Sequence, residues 1–186
     1  FVWNSIVLRH EADRLGIVYT PVEVVDFILG NDGAGVARKS RLGPLINTIP
    51  SIVAAPVLYG QAQIDNNHPA FEKAYELRRI MVWIGSNDGM LHAFDFETGD
   101  EVLALVPPKL LEAQARLYQN FKTADSRGTG QPVGFENIYG VAGSLRFGDV
   151  FFPGVPTGSW RTVGFMSLAE GGDLLAAIDI THPYPG

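Results

Sequence analysis

The sequence predicts a mainly β protein, and more specifically a partial β-propeller of about two blades of antiparallel meander with short helical insertions. Short runs rich in branched and aromatic residues recur along the chain, and turn-forming residues bound each of them. The 21 glycines and 12 prolines are dispersed among these runs, as many short elements require. One group of runs occurs twice in the same order, and repetition of a small meander is typical of a propeller.

Composition and charge exclude several classes of function. The chain has 186 residues, of which 46% are hydrophobic and 18% charged, which is enough for one domain with a sizeable core. Its net charge of −6 argues against a nucleic-acid partner, because nucleic-acid binding needs a basic face. The sequence contains no cysteine, which rules out thiol catalysis, cysteine-ligated zinc and disulfides. No apolar run reaches the roughly 20 residues of a membrane span, so none is predicted.

Two helices are predicted from capping and periodicity. Thr20-Pro21-Val22-Glu23 is a capping box with proline at the first helical position, which predicts a helix near residues 21–29 that ends at Gly30. A second helix is predicted from Pro108, because a set of mostly apolar residues falls on one face. These residues are Leu110, Leu111, Gln114, Leu117, Tyr118 and Phe121. Residues 5–15 are a further candidate helix.

Seven strands are predicted, and a tight hairpin joins the second to the third. The strands are Ile52–Tyr59, Ile80–Gly85, Met90–Asp95, Glu101–Val106, Leu145–Phe152, Arg161–Ser167 and Leu174–Ile180. Asn87, Asp88 and Gly89 are predicted to be the structural turn of the hairpin and to supply its positive-φ positions. The carboxylates of Asp88 and Asp95 are expected to accept hydrogen bonds from nearby backbone amides rather than to act in catalysis.

The repeat consists of two pairs of similar segments. Residues 51–60 resemble residues 144–154, with Ser51 over Ser144. Residues 82–99 resemble residues 163–183, with Asp95 over Asp179. Propellers use about four to eight blades, so two units do not close a ring. Either further blades lie in a longer protein, which we expect, or the repeat is a chance product of two similar hairpins.

The repeat predicts how the chain is organised. Residues 1–40 would be a helical lead-in, and residues 41–186 an incomplete propeller. Within the propeller, the blade-like units would be 41–106 and 139–183, with a helical and loop insertion at 107–138.

No residue is predicted to be catalytic, to bind a cofactor or to bind a metal. Asp65-Asn66-Asn67 lacks the alternate ligand spacing of a calcium loop, and residues 126–130 lack the Lys-Ser/Thr ending of a phosphate loop. The basic run Arg38-Lys39-Ser40-Arg41 is predicted to be a solvated loop. His92 is predicted to be a satisfied or half-exposed sheet histidine. The histidines show no paired ligand spacing; they are His10, His68, His92 and His182.

Five segments, in order along the chain, resemble the C-terminal propeller of the PilY family of large, tip-associated type IV pilus adhesins. They read VVDFILGND (24–32), RLGPLINTIPSIVAAPVLYG (41–60), VWIGSNDGMLHAFDFETGDEVLALVP (82–107), YGVAGSLRFGDVFF (139–152) and WRTVGFMSLAEGGDLLAAIDITHP (160–183). The chain departs from the family pattern at Ala142, where Asp is usual, at Asn137, and in the turn at residues 169–172. The family's calcium loop has no counterpart in this sequence.

The resemblance implies a non-enzymatic protein of the cell surface, secreted through the periplasm to the pilus tip or outer membrane. Its propeller would be a scaffold for pilus assembly, control of retraction and adhesion. The implied partners are minor pilins of the tip and host or surface ligands, and insertions near residues 60–79 and 122–138 would carry any binding. No cofactor is expected in this segment; calcium, if bound, is expected elsewhere in the parent protein.

Two alternatives remain open. Residues 85–99 would also suit a blade of a quinoprotein dehydrogenase, which holds pyrroloquinoline quinone and calcium in a central channel. Quinoprotein alcohol dehydrogenases commonly carry an adjacent cysteine pair, which this sequence lacks. The other alternative is a periplasmic assembly scaffold of the same shape.

Overall fold

The computed structural model describes residues 21–38, 41–57, 60, 66–125, 139–154 and 158–182. The helices in these residues are α1 (Pro21–Ile28), α2 (His68–Ala74) and α3 (Leu111–Asp125), and 3₁₀ turns span Pro108–Leu110 and Ala169–Gly171. The strands are β1 (Ser51–Val53), β2 (Met81–Gly85), β3 (Leu91–Asp95), β4 (Glu101–Leu105), β5 (Arg146–Phe152), β6 (Ser159–Ser167) and β7 (Leu175–Asp179).

The strands form two antiparallel sheets, each a meander in chain order. The first sheet has the order β1-β2-β3-β4, and the second has the order β5-β6-β7. Short connections favour antiparallel pairing for β2–β3, β3–β4, β5–β6 and β6–β7, whereas β1 and β2 are joined by residues 54–80, which include α2. The predicted mainly β architecture, with two antiparallel meanders and helical insertions, is therefore confirmed.

Helix α1 and helix α3 agree with their predictions. Helix α1 is followed by Gly30 at φ 92°, a left-handed conformation that suits glycine and ends the helix. The predicted helix from Pro108 begins as a 3₁₀ turn, and α3 continues from Leu111. The helices pack on each other through Val24, Phe27, Ala115 and Tyr118. The candidate helix at residues 5–15 lies outside the described residues.

Most strand boundaries lie within two residues of the predicted ones, but β1 is much shorter than expected. It was predicted to reach Tyr59 and ends at Val53. The Ala54 carbonyl accepts a hydrogen bond from the Arg78 guanidinium, and Pro56 has no amide to donate to a ladder. These two features end the strand, and residues 58 and 59 lie outside the described residues.

Helix α2 was not predicted. Residues 60–79 were expected to be a loop insertion, yet His68–Ala74 is helical, with proline in the first helical turn. Proline is compatible with that position because its missing amide would have no partner there. His68 is fully buried at the start of this helix, so the segment is anchored to the rest of the protein.

The strand register tests the alignment of the repeat. Asp95 pairs with Met81 and Asp179 pairs with Val163, which confirms the match of Asp95 to Asp179. In the repeat, the residue of the first sheet that is equivalent to Val163 is consequently Met81 and not Val82. In the first strands, Val53 and Gly148 occupy equivalent positions opposite Met81 and Val163, so the match of Ser51 to Ser144 was wrong by two residues. A shift of two keeps the same face of a strand, which is why the hydrophobic pattern did not reveal it.

The two sheets share one core. The first sheet contributes Val53, Met81, Trp83, Leu91 and Ala93, and the second sheet and its loops contribute Val141, Leu145, Met166, Leu168 and Ile180.

Residues 139–145 pass between the two hairpin loops of the sheets. The amide of Val141 donates to the Ser86 carbonyl over 3.0 Å. A Cβ at Gly140 would lie 2.5 Å from that carbonyl oxygen, so only glycine permits the close passage. No helix within the described part of the chain is both long and apolar enough to cross a bilayer.

Candidate functional site

The loop of the β2–β3 hairpin contains the predicted structural turn. Ser86 N donates to Met90 O over 3.0 Å, and Gly89 N donates to Ser86 O over 3.2 Å. Among Asn87, Asp88 and Gly89, only Gly89 has a positive φ, of 83°. The loop is therefore a three-residue connection with one left-handed residue at its end, and not the two-residue type that needs positive φ at both central positions.

Asp88 joins this loop to two other parts of the protein. Its carboxylate accepts the amide of Met90 over 3.1 Å and the amide of Gly43 over 2.8 Å. Its carbonyl oxygen accepts a hydrogen bond from the Gln114 side-chain amide of α3 over 2.7 Å. A single short side chain thus connects the hairpin to residues 41–50, while the backbone connects it to α3.

His92 lies between two carboxylates in the first sheet. Its Nε2 is 3.1 Å from Asp88 Oδ2, and its Nδ1 is 2.5 Å from Glu101 Oε1. The ring is buried, which disfavours its charge, but the hydrogen bonds and charges of Asp88 and Glu101 outweigh burial and raise the pKa of His92. Both ring nitrogens are engaged within the hairpin, so His92 binds β3 to β4 and to the loop. Within the described residues no group of His, Cys, Asp and Glu is arranged to hold a metal ion.

A second polar cluster lies between the sheets. His68 Nε2 is 2.9 Å from Asp149 Oδ2, and the Thr162 hydroxyl donates to Asp149 Oδ1 over 2.8 Å. The Arg78 guanidinium donates to the Thr162 hydroxyl over 2.7 Å and also to the Ala54 carbonyl. We call His68, Asp149, Thr162 and Arg78 the bridging cluster, because it links α2, β5 and β6 to the residues that precede β2.

The donors and acceptors of the hydrogen bonds in the bridging cluster favour a structural role over a catalytic one. The hydroxyl proton of Thr162 points to Asp149, and His68 contacts the other oxygen of the same carboxylate. In a catalytic pair of a hydroxyl and an imidazole, the imidazole accepts the proton of the hydroxyl. Here the imidazole is not placed to take that proton, so the cluster fixes the two sheets relative to each other.

A cleft of about 320 Å³ opens beside the bridging cluster. It lies between the residues that follow β1 and the first half of β5. Its lining is Ala55, Pro56, Val57, Arg78, Phe147, Gly148 and Asp149. The two charged residues of the lining are already hydrogen-bonded inside the bridging cluster.

An Arg–Asp ion pair occurs at the same place in both sheets. Arg79 contacts Asp95, and Arg161 Nη1 donates to Asp179 Oδ2 over 2.6 Å. Asp95 also accepts backbone amides of the following turn, and Asp179 accepts the amide of Thr181. The backbone hydrogen bond from Thr98, the Arg79 side chain and the amide of Glu97 together outweigh desolvation and hold the pKa of Asp95 below its usual range.

The other residues considered in the sequence are dispersed. His182 Nε2 lies 2.8 Å from the Tyr75 hydroxyl. The Asn66 carbonyl accepts the Trp160 indole N–H over 2.8 Å, and Asn67 has φ 60° in a turn, so these two residues hold the start of α2. Asp65, His10 and residues 126–130 lie outside the described residues.

The two described residues of the basic run, Arg38 and Arg41, differ in their exposure to solvent. Arg38 is half-buried, its guanidinium lies 4.1 Å from the centre of the Phe27 ring, and it donates to the Phe27 carbonyl. The prediction of a solvated loop is therefore wrong for Arg38, because an aromatic face and a carbonyl replace water around its charge. Arg41 is exposed, and Lys39 and Ser40 lie outside the described residues.

Sequence reasoning missed Arg78, Arg79 and Asp149. One signal was available for Arg79: it precedes Met81 by two residues, as Arg161 precedes Val163. Nothing local in the sequence points to Arg78 or Asp149, whose partners are far away along the chain.

Comparison with known proteins gives a consistent family. A family described as the PilY1 beta-propeller domain matches residues 42–186. The type IV pilus biogenesis factor PilY1 of Pseudomonas aeruginosa strain PAO1 is 35% identical over 98% of this chain, which covers 16% of that protein. A PilY1 homologue of Xylella fastidiosa strain Temecula1 is 35% identical over 78% of this chain and 11% of its own length. PilY1 of P. aeruginosa strain UCBPP-PA14 is 30% identical over 86% of this chain and 13% of its own length. No solved structure matches significantly.

Proposed function

The chain belongs to the PilY1 β-propeller family, and on that premise we propose that it is a non-enzymatic propeller scaffold of a type IV pilus biogenesis factor. The chain spans only 16% of the length of the first PilY1 relative, so the role proposed is that of one part of a longer protein. The relatives are named for pilus biogenesis, and the two meanders are partial-propeller units in this family.

The observation that carries the proposal is how the polar residues are used. Asp88, His92, Asp149 and Thr162 direct their hydrogen bonds to other parts of the same fold. Such groups lock hairpins, helices and sheets together, which a rigid support for binding loops requires. We propose that pilus assembly, control of retraction and adhesion depend on loops held by this support.

The segment around α2 is the described part of the chain that best suits contact with a partner. Leu77 follows α2 and is 92% exposed, while His68 at the other end of the helix is fully buried. Leu77 is the most exposed large apolar side chain of the described residues, and its anchored position would hold it in place for a partner. We propose minor pilins of the tip as its partners, and host or surface ligands for the parent protein as a whole.

The pilus tip or outer surface is the proposed location, reached through the periplasm. The test is a strain that lacks the parent protein, complemented with wild type, with Leu77→Asp or with Leu29→Asp, and scored for surface pili, twitching motility and the parent protein in sheared pili. Leu29 is also exposed but lies after α1, so it is the matched control. We expect loss of pili without the protein, and reduced recovery in sheared pili for Leu77→Asp alone. Normal piliation in the deletion strain would contradict the pilus role, and absence of the protein from sheared pili would favour a periplasmic scaffold.

The non-enzymatic part of the proposal has its own assay. Full-length protein is incubated with pyrroloquinoline quinone, calcium and an alcohol, and dye-linked oxidation is followed. We expect no oxidation above a protein-free control. Turnover that depends on the protein would replace the scaffold proposal by a quinoprotein dehydrogenase.

A further inference from the structure

Strand β5 has a free edge in the described part of the chain. It pairs with β6 through all seven of its residues and with no other strand. Among the described residues, no hydrogen bond joins the backbone of Arg146–Phe152 to a backbone group outside β6. None of these seven residues is buried, whereas four of the five residues of β2 are. A strand with such an edge is a template for pairing with another chain.

The repeat does not account for this edge. The two sheets meet through the side chains of one core and not through strand pairing, so a further sheet of the same kind would leave the edge of β5 unpaired. Propellers leave only short, protected edges. The equivalent strand β1 has three residues and ends at Val53, which corresponds to Gly148. Residues 149–152 therefore extend β5 beyond its counterpart.

The cleft beside the bridging cluster opens next to this edge. The amide of Ile49 donates to the Ser144 hydroxyl, and the Ser51 hydroxyl donates to the Leu145 carbonyl, so β1 and β5 begin side by side. Farther along the chain, residues 55–57 line one side of the cleft of about 320 Å³, and residues 147–149 line the other. A volume of this size lies within the range of ligand sites.

The charged groups of the cleft are compensated inside the protein. Arg78 donates to the Thr162 hydroxyl and to the Ala54 carbonyl. Asp149 accepts the hydroxyl proton of Thr162 and contacts His68. The other residues of the lining are uncharged. The cleft therefore suits an uncharged occupant, because a charged one would lose water without gaining a counter-charge.

Large apolar side chains are exposed around the cleft. Val57 is 50% exposed and Phe147 42%, and they lie on opposite sides of the lining. Leu77, which is 92% exposed, directly precedes Arg78 of the lining. When a peptide adds a strand to a sheet edge, its backbone provides affinity and pockets for alternate side chains provide specificity. These exposed residues are suited to contact such side chains.

We propose that the cleft binds an extended, uncharged peptide segment of a partner protein, which adds a strand to the free edge of β5 at residues 147–149. Backbone groups of β5 hydrogen-bond to the segment, and one of its apolar side chains inserts between Val57 and Phe147. A peptide fits better than a compact small molecule, because a strand edge offers a row of backbone donors and acceptors. The inference does not depend on the pilus role.

The test is a selection of random twelve-residue peptides, displayed on phage, on the full-length parent protein, with subtraction on its Phe147→Ser variant. Phe96→Ser is the matched control, because Phe96 is 53% exposed and is not part of the lining. We expect uncharged peptides with alternating apolar residues. In fluorescence polarisation, the synthetic peptides should bind wild type and Phe96→Ser equally, and Phe147→Ser at least about tenfold more weakly. Val57→Ser, on the other side of the cleft, should weaken the same peptides, and circular dichroism checks the fold of each variant.

A second measurement tests strand pairing itself. Amides of alternate residues in an extended peptide point to opposite edges. Two versions of a selected peptide are N-methylated at one or the other alternate set of residues, which removes amide donors and keeps the side chains. We expect one version to bind at least about tenfold more weakly than the other.

Two outcomes overturn the proposal. One is that no enriched peptide distinguishes wild type from Phe147→Ser and Val57→Ser, whether the parent protein's own chain fills the cleft or the cleft binds nothing. The other is that both N-methylated versions bind equally well, which excludes pairing with β5. Neither outcome bears on piliation, so the proposed function and this inference fail separately.

Discussion

Arg161 stands in the second sheet where Arg79 stands in the first, two residues before the strand residue that pairs with an aspartate. The aspartates are Asp179 and Asp95, each the last residue of the next strand. Each aspartate binds its arginine with one oxygen and a backbone amide beyond the strand with the other. The Arg–Asp ion pair therefore belongs to the repeated unit. In both the β2–β3 and the β6–β7 hairpin it lies at the end opposite the loop.

The two pairs should differ in their effect on stability. Arg79→Ala leaves an enclosed Asp95 carboxylate without its cation, whereas Asp179 after Arg161→Ala can be hydrated. We expect Arg79→Ala to lower the Tm of this chain more than Arg161→Ala, measured by calorimetry. Equal changes in Tm for the two variants would contradict the expectation that the more buried ion pair contributes more to stability.

Gly89 should tolerate no side chain. Gly89→Ala places a Cβ in a residue with φ 83° and 2.5 Å from the Gln114 side-chain nitrogen. The strained backbone and the displaced hydrogen bond from Gln114 to Asp88 should together lower the free energy of unfolding by about 2–4 kcal/mol. Urea unfolding measures the change.

Gly99→Ala is the matched control for that substitution. Gly99 has φ 75°, and nothing lies within 4 Å of its ideal Cβ, so only the backbone strain of about 1 kcal/mol is expected. A loss at Gly89 no larger than at Gly99 would show that the contact with α3 is unimportant.

His92 should make the stability depend on pH. Its pKa is raised in the folded state, so its contribution is fully present below the unfolded pKa of about 6.5 and is lost as pH rises through the folded value. We expect the free energy of unfolding to decline over that window in the wild type. His92→Gln should remove this part of the decline, as urea unfolding at a series of pH values would measure.

Asp88→Asn tests whether the carboxylate of Asp88 raises the pKa of His92. It removes one of the two carboxylates beside His92 and should bring the pKa of His92 down, which an NMR titration of the ring detects. A wild-type pKa at or below that of a solvent-exposed histidine would contradict the proposed charge pairing. The same substitution should weaken the contact of the hairpin with Gly43.

His68 should be one of the most sensitive positions outside the apolar core. His68→Ala opens a cavity at a fully buried site and removes a partner of Asp149, so we expect a loss of about 2–4 kcal/mol in urea unfolding. His182→Ala removes an exposed ring that contacts Tyr75 and should cost no more than about 0.5 kcal/mol. Similar losses for both variants would mean that the bridging cluster does not hold the sheets.

Local structure could be predicted from the sequence because its causes are local. The strands of the β2–β3 and β6–β7 hairpins follow from alternating apolar residues between turn residues, and these signals act within a few positions. The capping box in the sequence at residues 20–23 likewise predicts a helix here, and α1 spans Pro21–Ile28 in the described residues. The match of Asp95 to Asp179 was visible because both residues end a strand ahead of a turn.

Only the tertiary structure decided which distant residues meet. Arg78 binds Thr162 and His68 binds Asp149 across more than 80 residues of chain, and no spacing in the sequence encodes such pairs. Arg78 also binds the Ala54 carbonyl just after β1, and the buried His68 anchors α2, so both errors in the prediction involve residues of the bridging cluster. By itself the sequence determined the strands, the turns and the order of the repeat, because hydrogen bonding and side-chain alternation act between neighbours. Packing of one sheet on the other decided which residues form the bridging cluster and which side chains stay exposed. The reason is that burial depends on everything that surrounds a residue.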